Sequence, residues 1–237
     1  LVESGFNVHG TDTSPSVLES IEACKPHFFE PGLREKLKIS AQSGRFSASE
    51  SFKESSVYII CVPTPIREVE GQLKPDLSFV HAVVEKLCSF LKKGDLIILE
   101  STSPVGTTDD IAKKLQSVGL GSDKVRLAYC PERVLPGNAF DELINNDRVI
   151  GGIDSVSATL ASNFYSAFIR GKVYTTNART AEMCKLTENS YRDTNIAFAN
   201  EVSMLCDKYE IDVWDLISFA NMHPRVDVLQ PGVGVGG

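Results

Sequence analysis

Val57-Tyr58-Ile59-Ile60-Cys61-Val62 is a continuous apolar run that Pro63 and Pro65 end abruptly. The run is rich in β-branched residues and shows no alternation of polar and apolar side chains. Such a pattern predicts a strand that is buried on both faces of a parallel sheet. A second run of the same kind lies at Asp95–Glu100, so we expect a sheet with helices on its two faces.

Strand-like and helix-like segments alternate outward from these two runs. We predict further strands at Phe6–Gly10, Val125–Tyr129, Arg148–Gly152 and Lys172–Thr175, and helices at Pro15–Ala23, Pro31–Ser43, 76–92, Thr107–Ser117 and Val156–Phe168. This regular alternation predicts a doubly wound, parallel, Rossmann-like α/β sheet.

The pattern changes near residue 178. A helix of about 30 residues is predicted up to about Lys208, and a second helix follows at Val213–Asn221. Two consecutive helices after an α/β unit predict the start of an all-α domain. We therefore expect one domain at 1–176 and a helical, central domain at 177–237.

Composition excludes several classes of protein. The formal net charge is −7, from 24 basic and 31 acidic residues, which argues against nucleic-acid binding. No apolar run approaches the ~18 residues of a membrane-spanning helix. The six cysteines lie far apart and include no Cys-x-x-Cys pair, so we expect no metal site, reduced thiols and a cytoplasmic location.

Both ends of the chain have the character of internal segments. The first residues, Leu1–Gly5, include no Met and resemble the end of a helix, and the last six, Gly232–Gly237, contain four glycines. We expect the chain to be a fragment of a longer protein, with the first strand of the sheet missing.

The long predicted helix carries Lys185, Asn189 and Arg192 at spacings of four and three, which places them on one face. An ammonium, an amide and a guanidinium on one face suit an anionic ligand that is rich in hydroxyl groups. The alternative is a solvated polar face on an ordinary amphipathic helix. An apolar stripe extends along the helix at Phe198, Val202, Leu205 and Tyr209.

Polar residues also follow several predicted strands, at the edge where ligands bind in open α/β sheets. Asp12 closes the first strand, where an acidic residue accepts hydrogen bonds from an adenosine ribose and favours NAD over NADP; the alternative is a helix cap. Hydroxyls of Thr64 and Thr102 could face a cofactor or serve only in turns. Glu132 could be a general base and Arg133 an anion clamp, or the two could form a surface ion pair.

Six segments carry a resemblance to a known family, in this order: Thr11-Asp12, Val62–Pro65, Glu100–Thr102, Pro131-Glu132, Ala181–Asn189 and Gly232–Gly237. On these segments the chain resembles the nucleotide-sugar 6-dehydrogenases. Four longer strings resemble the branch of the family that acts on UDP-N-acetyl-D-mannosamine, namely Cys130–Gly137, Asn146–Gly152, Arg179–Asn189 and His223–Val226.

The resemblance implies an NAD-dependent, four-electron oxidation of a UDP-sugar, in which a primary alcohol becomes a carboxylate. It implies that two hydrides pass to two NAD molecules and that a cysteine holds the oxidised sugar as a thioester, which water then hydrolyses. It implies that Lys185 and Asn189 flank the reacting carbon, that Glu132 is a base for this hydrolysis, and that Thr102 positions water and nicotinamide. Contacts with NAD are implied for Asp12, Thr64 and Thr102. Contacts with the sugar nucleotide are implied for Arg133, Val134, Lys185, Asn189, Arg192, His223, Arg225 and Gly236. A homodimer through the central helices follows by analogy.

The chain departs from the family pattern in what it lacks. A glycine-rich turn is expected about 20 residues before the acidic residue, and a nucleophilic cysteine after Gly237; neither is in the sequence. We therefore expect the 237-residue chain to be inactive alone. Two alternatives stay open: a two-electron NAD dehydrogenase of the 3-hydroxyacid or 6-phosphogluconate type, and a non-catalytic helical dimerisation module or sugar-nucleotide-binding relic.

Overall fold

A computed structural model describes residues 1–234 of the chain. After a short 3₁₀ turn, nine strands and eight helices follow in these described residues. The strands are β1 (Val8–Thr11), β2 (Phe46–Ser49), β3 (Val57–Ile60), β4 (Ile66–Val69), β5 (Gln72–Pro75), β6 (Leu96–Leu99), β7 (Arg126–Tyr129), β8 (Arg148–Gly152) and β9 (Val173–Asn177). The helices are α1 (Pro15–Glu22), α2 (Leu33–Gln42), α3 (Ser78–Leu87), α4 (Thr107–Ser117), α5 (Ala139–Asn145), α6 (Ser155–Ser166), α7 (Ala178–Tyr209) and α8 (Val213–Ala220).

The central sheet has five strands in the order β3-β6-β7-β8-β9. β6 is buried at all four residues, as its apolar run predicts, whereas β3 and β7 are each partly exposed. Ile97 and Leu99 pack in one core with residues of α3 and α4, whereas Ile98 and Ile150 pack on the other face with Ala161 and Tyr165 of α6. Helices therefore cover both faces of the sheet, which confirms the predicted α/β class.

The sheet is parallel as predicted in β3, β6 and β7, but β8 and β9 both run in the opposite direction. β8 pairs with β7 in antiparallel orientation, with Tyr129 opposite Gly151, and β9 then pairs parallel to β8. The reason lies in the connection after β7, which holds only the seven-residue α5 and stays at the carboxyl edge of the sheet. The chain thus re-enters the sheet from the edge at which it left.

This reversal directs α7 back toward the carboxyl edge of β6 and β7. Residue Asn177, the last of β9, lies beside Gly152, and α7 begins at the next residue. By Glu182 the helix has reached the N-terminus of α4, which follows β6. The polar face of α7 is thereby brought to the edge where ligands bind in α/β sheets.

Two further pairs of strands lie outside the central sheet. β1 and β2 form a parallel pair, and β4 and β5 form an antiparallel hairpin whose residues are all exposed. The apolar stripe of α7 is also largely exposed at Phe198, Leu205 and Tyr209. No helix within residues 1–234 has the length and apolar character needed to cross a bilayer.

Candidate active site

One cleft at the carboxyl edge of the sheet collects most of the predicted site residues. It has a volume of about 700 Å³ and lies between α7, the turn after β6 and the loop that follows β7. Seven predicted residues line it: Thr102, Glu132, Arg133, Val134, Lys185, Asn189 and Arg192. Lys185, Asn189 and Arg192 thus lie on one side of α7, as their spacing predicts, and they meet the turn after β6 and the loop after β7 in one cleft.

The polar face of α7 supplies the cations of the cleft. Lys185 and Asn189 are half-buried and Arg192 is exposed. Among the described residues, neither Lys185 nor Arg192 makes a hydrogen bond or an ion pair. Both cations are thus free to bind an anionic ligand. The free-energy cost of desolvation is lower for a half-buried ammonium than for a fully buried one.

Arg133 is not free in the same way. Its guanidinium forms a two-point ion pair with Glu188 of α7, with Nη2–Oε1 at 2.6 Å and Nε–Oε2 at 3.0 Å. Its Nη1 also donates to the backbone carbonyl of Asp147 at 2.9 Å. The ion-pair alternative for this residue is therefore correct in its kind, although the partner is Glu188 and not Glu132. Any anion that binds Arg133 here competes with Glu188.

Carboxylates fix the loop that carries Glu132 and Val134. The Glu132 side chain accepts a hydrogen bond from the backbone N–H of Val134. Farther along, Glu142 accepts from Leu135 N–H at 2.8 Å, and the buried Glu30 accepts from the N–H groups of Gly137 and Ala139 at 2.7 and 2.8 Å. The loop is therefore held by its backbone, and the side chains at 132–134 are presented to the cleft.

The two predicted cofactor threonines are in direct contact. The Thr64 hydroxyl donates to the backbone carbonyl of Thr102 at 2.6 Å, and the Ser101 hydroxyl donates to the carbonyl of Val62 at 2.7 Å. These bonds join the turn after β3 to the turn after β6. The structure thus gives the hydroxyl of Thr64 a turn-stabilising contact, while Thr102 lines the cleft.

Asp12 lies in a different groove, of about 580 Å³, between the end of β1 and the end of β3. One carboxylate oxygen accepts from Ser14 N–H at 2.8 Å, so Asp12 stabilises the turn that leads into α1, and the Ser14 side chain does not cap the helix. The second oxygen accepts no hydrogen bond within the described chain. With apolar walls that include Val62 and Phe79, these residues fit the adenosine half of NAD.

Two of the predicted substrate residues, His223 and Arg225, are not brought into the cleft. His223 and Arg225 are exposed after α8 and do not line it, and Arg225 N–H donates to His223 Nδ1 at 3.3 Å. Gly236 lies outside the described residues. The beginning of the glycine-rich segment approaches α7, because the Asn200 amide exchanges two hydrogen bonds with the backbone of Gly232.

None of the six cysteines lines the cleft as the structure describes it. Cys184, next to Lys185 in sequence, lines a separate surface hollow with Met183 and Thr187. Burial raises the pKa of Cys130 to about 11, which makes its thiolate scarce near neutral pH. The chain as described therefore presents three cations, four carboxylates, two amides and a hydroxyl to a ligand in the cleft, and no thiol.

Sequence reasoning missed several residues of this cleft, chiefly Glu188, Glu142, Asn146 and Asp147. Glu188 could have been found, because it lies three residues after Lys185 and four before Arg192 on the same face. The others depend on the path of the loop after β7, for which the sequence offers no periodic signal.

Two family models match the chain. Residues 1–169 match the model of the UDP-glucose/GDP-mannose dehydrogenase family, NAD binding domain, and residues 179–237 match the central domain of the same family. The first match confirms the predicted cofactor. Together the two matches cover most of the chain.

Individual relatives are similar to the chain over nearly its whole length. A UDP-N-acetyl-D-mannosamine dehydrogenase of Yersinia pestis is 48% identical over 97% of this chain, and one of Methanocaldococcus jannaschii is 46% identical over 100%. A structure of a UDP-D-ManNAc dehydrogenase from Pyrococcus horikoshii superposes with a TM-score of 0.93 at 40% identity, over 99% of the chain.

The chain spans just over half the length of these relatives, at 56%, 55% and 56% respectively. Its fold, its cofactor domain and its helical segment all correspond to one family. The chain belongs to the UDP-glucose/GDP-mannose dehydrogenase family.

Proposed function

We propose that the protein containing this chain is an NAD-dependent UDP-sugar 6-dehydrogenase that converts a sugar 6-hydroxyl to a carboxylate in a four-electron oxidation. The observation that supports this most strongly is the single cleft in which Lys185, Asn189, Glu132 and Thr102 lie together. UDP-N-acetyl-D-mannosamine is the proposed substrate and its uronate the product, since relatives with 46 to 48% identity carry that name.

Each residue of the cleft has a role that its chemistry supports. The Lys185 ammonium stabilises negative charge that develops on the sugar oxygen, and the Asn189 amide donates to the same oxygen or holds a water. Glu132 is the base that activates water for hydrolysis, and Thr102 positions that water. NAD, when bound, accepts hydride from the sugar carbon.

The cations of the cleft also account for binding of the nucleotide. Arg192 is free among the described residues and offers a planar set of donors to a phosphate. Arg133 adds a second such group once Glu188 releases it, and Val134 lies beside it in the cleft. Contacts of His223, Arg225 and Gly236 with the sugar nucleotide stay predictions.

We also propose a homodimer formed through α7 and α8 in the cytoplasm. Apolar side chains on these helices are more than half exposed, among them Tyr191, Phe198, Leu205, Trp214 and Phe219. An exposed apolar surface of this kind is typical of a protein interface. All six cysteines are free, as in a reducing compartment.

The proposal is tested by incubating the purified natural protein with NAD and each of four sugar nucleotides: UDP-N-acetyl-D-mannosamine, UDP-N-acetyl-D-glucosamine, UDP-N-acetyl-D-galactosamine and UDP-glucose. We expect two NADH per sugar oxidised and the highest kcat/KM with the mannosamine derivative. One NADH per sugar would favour the two-electron alternative, and no NADH with any sugar would favour the binding relic. The inactivity of the 237-residue chain stays a prediction of the same assay.

Replacement of Glu188 by Gln is expected to lower KM for the UDP-sugar about two- to fivefold, the range of a partly exposed ion pair. The change removes a negative charge from the cleft and frees Arg133, which Glu188 binds at 2.6 Å. Steady-state kinetics at fixed NAD measures the effect. Glu201→Gln is the matched control, because Glu201 is exposed on the same helix and lies outside the cleft. A higher KM for Glu188→Gln would contradict this prediction and show that the Glu188 carboxylate contributes to binding of the UDP-sugar.

Replacement of Asp12 by Asn is expected to raise KM for NAD about tenfold, because a hydrogen bond to a charged group is worth about 1.5–3 kcal/mol. The amide oxygen of Asn can keep the bond from Ser14 N–H, so the turn that leads into α1 should be unchanged. KM for the sugar should not change. An unchanged KM for NAD would remove Asp12 from the cofactor site.

A further inference from the structure

Glu182 is a carboxylate with no exposed surface, at 0% of its accessible area. It lies on α7 and accepts three hydrogen bonds: from Gly106 N–H at 2.6 Å, from Thr108 N–H at 2.8 Å and from the Thr108 hydroxyl at 2.6 Å. No cation lies within ion-pair distance of it among the described residues. These three hydrogen bonds therefore offset the free-energy cost of removing the carboxylate from water.

The donors belong to the N-terminus of α4. Gly106 is the residue that precedes this helix, has a positive φ of 99° and offers no side chain to cap it. The first amides of a helix lack partners within the helix, and its dipole favours negative charge at this end. The cap that α4 lacks locally is supplied by a side chain more than 70 residues later in the chain.

The turn that precedes α4 is the one that carries Thr102. Two hydrogen bonds also join this turn to the segment after β3. The Ser101 hydroxyl donates to the carbonyl of Val62, and the Thr64 hydroxyl donates to the carbonyl of Thr102. Glu182 attaches the turn to α7. The segment from Ser101 to Gly106 is thus held between β3 and α7.

Glu182 lies three residues before Lys185, less than one helical turn and about 4.5 Å along the axis. The same stretch of α7 therefore forms hydrogen bonds with the end of the Thr102 turn and places Lys185 in the cleft. A shift between α4 and α7 would change the separation of Thr102 from Lys185 and Asn189. Two other groups connect these helices, Arg179 and Asp109, but Arg179 is largely exposed.

We propose that Glu182 is a positioning residue, which holds the Thr102 turn in register with the Lys185 face of α7. It does not line the cleft and acts through the residues that do. The kinetic consequence rests on the proposed function, whereas the structural register can be measured without turnover. The residue was not among those indicated by the sequence pattern, since in the sequence it is one acid among many.

The test compares the natural protein with its Glu182→Gln variant. Gln has the same size, but its NH₂ group replaces one acceptor oxygen, so that either Gly106 or Thr108 meets a donor in place of an acceptor. We expect kcat to fall about 10- to 100-fold, in line with the effect of small misplacements of reacting groups. KM for sugar and for NAD should change less than about threefold, because the binding residues are intact. Amide hydrogen exchange in 101–108 should become faster.

Two further variants separate the effect of the turn's position from a general loss of stability. Thr108→Val removes only the hydroxyl donor and is expected to lower kcat by a smaller factor than Glu182→Gln. Asp154→Asn removes the negative charge from a matched cap, the carboxylate that accepts from Ser157 N–H at 2.7 Å at the start of α6 and pairs with Arg126, away from the cleft. It should lower stability and leave kcat unchanged.

A wild-type kcat in Glu182→Gln together with faster exchange at Gly106 and Thr108 would overturn the inference. So would an equal loss of kcat in Asp154→Asn, since loss of stability alone would then explain both. If the natural protein oxidises no UDP-sugar, the proposed function fails on its own. Exchange in 101–108 compared with the Asp154→Asn control would then still show whether Glu182 holds the turn.

Discussion

Replacement of Lys185 by Ala is expected to lower kcat by a factor on the order of 10³, the loss that follows removal of one group that stabilises developing charge. The ammonium lies in the cleft beside Asn189 and Thr102 and has no ion-pair partner among the described residues. A charge that acts mainly in the transition state affects kcat more than KM. Stopped-flow or steady-state detection of NADH measures the change.

Lys208→Ala is the matched control for that experiment. It removes the same kind of side chain from the same helix, at the last turn of α7 and away from the cleft. We expect kcat of this variant to equal that of the natural protein. Folding of both variants is compared by circular dichroism, because an exposed or half-buried lysine contributes little to stability. Equal kcat values for Lys185→Ala and the natural protein would remove this lysine from the mechanism.

The buried strands of the central sheet were predictable because their sequences require one environment. A run such as Leu96–Leu99 has no polar face, so it fits only a strand that is covered on both sides. Strand direction is different, because four or five apolar residues read the same in either orientation. The antiparallel β8 depends on the path of the loop after β7, which is fixed by contacts of Glu30 and Glu142 with its backbone.

The hairpin of β4 and β5 and the short β2 were missed for the opposite reason. All eight residues of the hairpin are exposed, so no face of it carries a hydrophobic pattern. The available signal is the turn at Glu70 and Gly71, both with positive φ, which is typical of a two-residue hairpin loop. β2 reads Phe-Ser-Ala-Ser, which is too polar to indicate a strand unless its partner β1 is known.

The residues of the site divide in the same way. Lys185, Asn189 and Arg192 were identified because helical spacing is a local property that the sequence displays. Glu182 and Glu30 were not identified, because each caps a backbone segment far away in sequence. Their burial is a property of the tertiary structure. The sequence alone does not distinguish them from the other acidic residues among the 31 in the chain.

Replacement of Gly151 by Ala is expected to lower the free energy of unfolding by about 1–3 kcal/mol or more, the range for overpacking of a close-packed core. A Cβ at this position would lie 2.6 Å from Ala178 Cα, 2.6 Å from the Asn177 carbonyl oxygen and 2.7 Å from Ala181 Cβ. Two of these atoms are backbone, so no side-chain rotation relieves the clash. Gly151 thus permits the first turn of α7 to lie directly on β8.

The same substitution should also reduce kcat, because the start of α7 sets the position of Lys185 two turns later. Gly10→Ala is the control for stability: this glycine is also in a strand, and its added Cβ would make only an ordinary contact of 3.8 Å with Ala48. Turnover is compared with the natural protein, because Gly10 lines the groove that holds Asp12. Thermal unfolding of the natural protein and both variants measures stability, and NADH formation measures turnover. A Gly151→Ala variant as stable as Gly10→Ala would mean that α7 moves away from β8 at little cost. If its kcat then also equalled that of the natural protein, the register of α7 on the sheet would not govern the site.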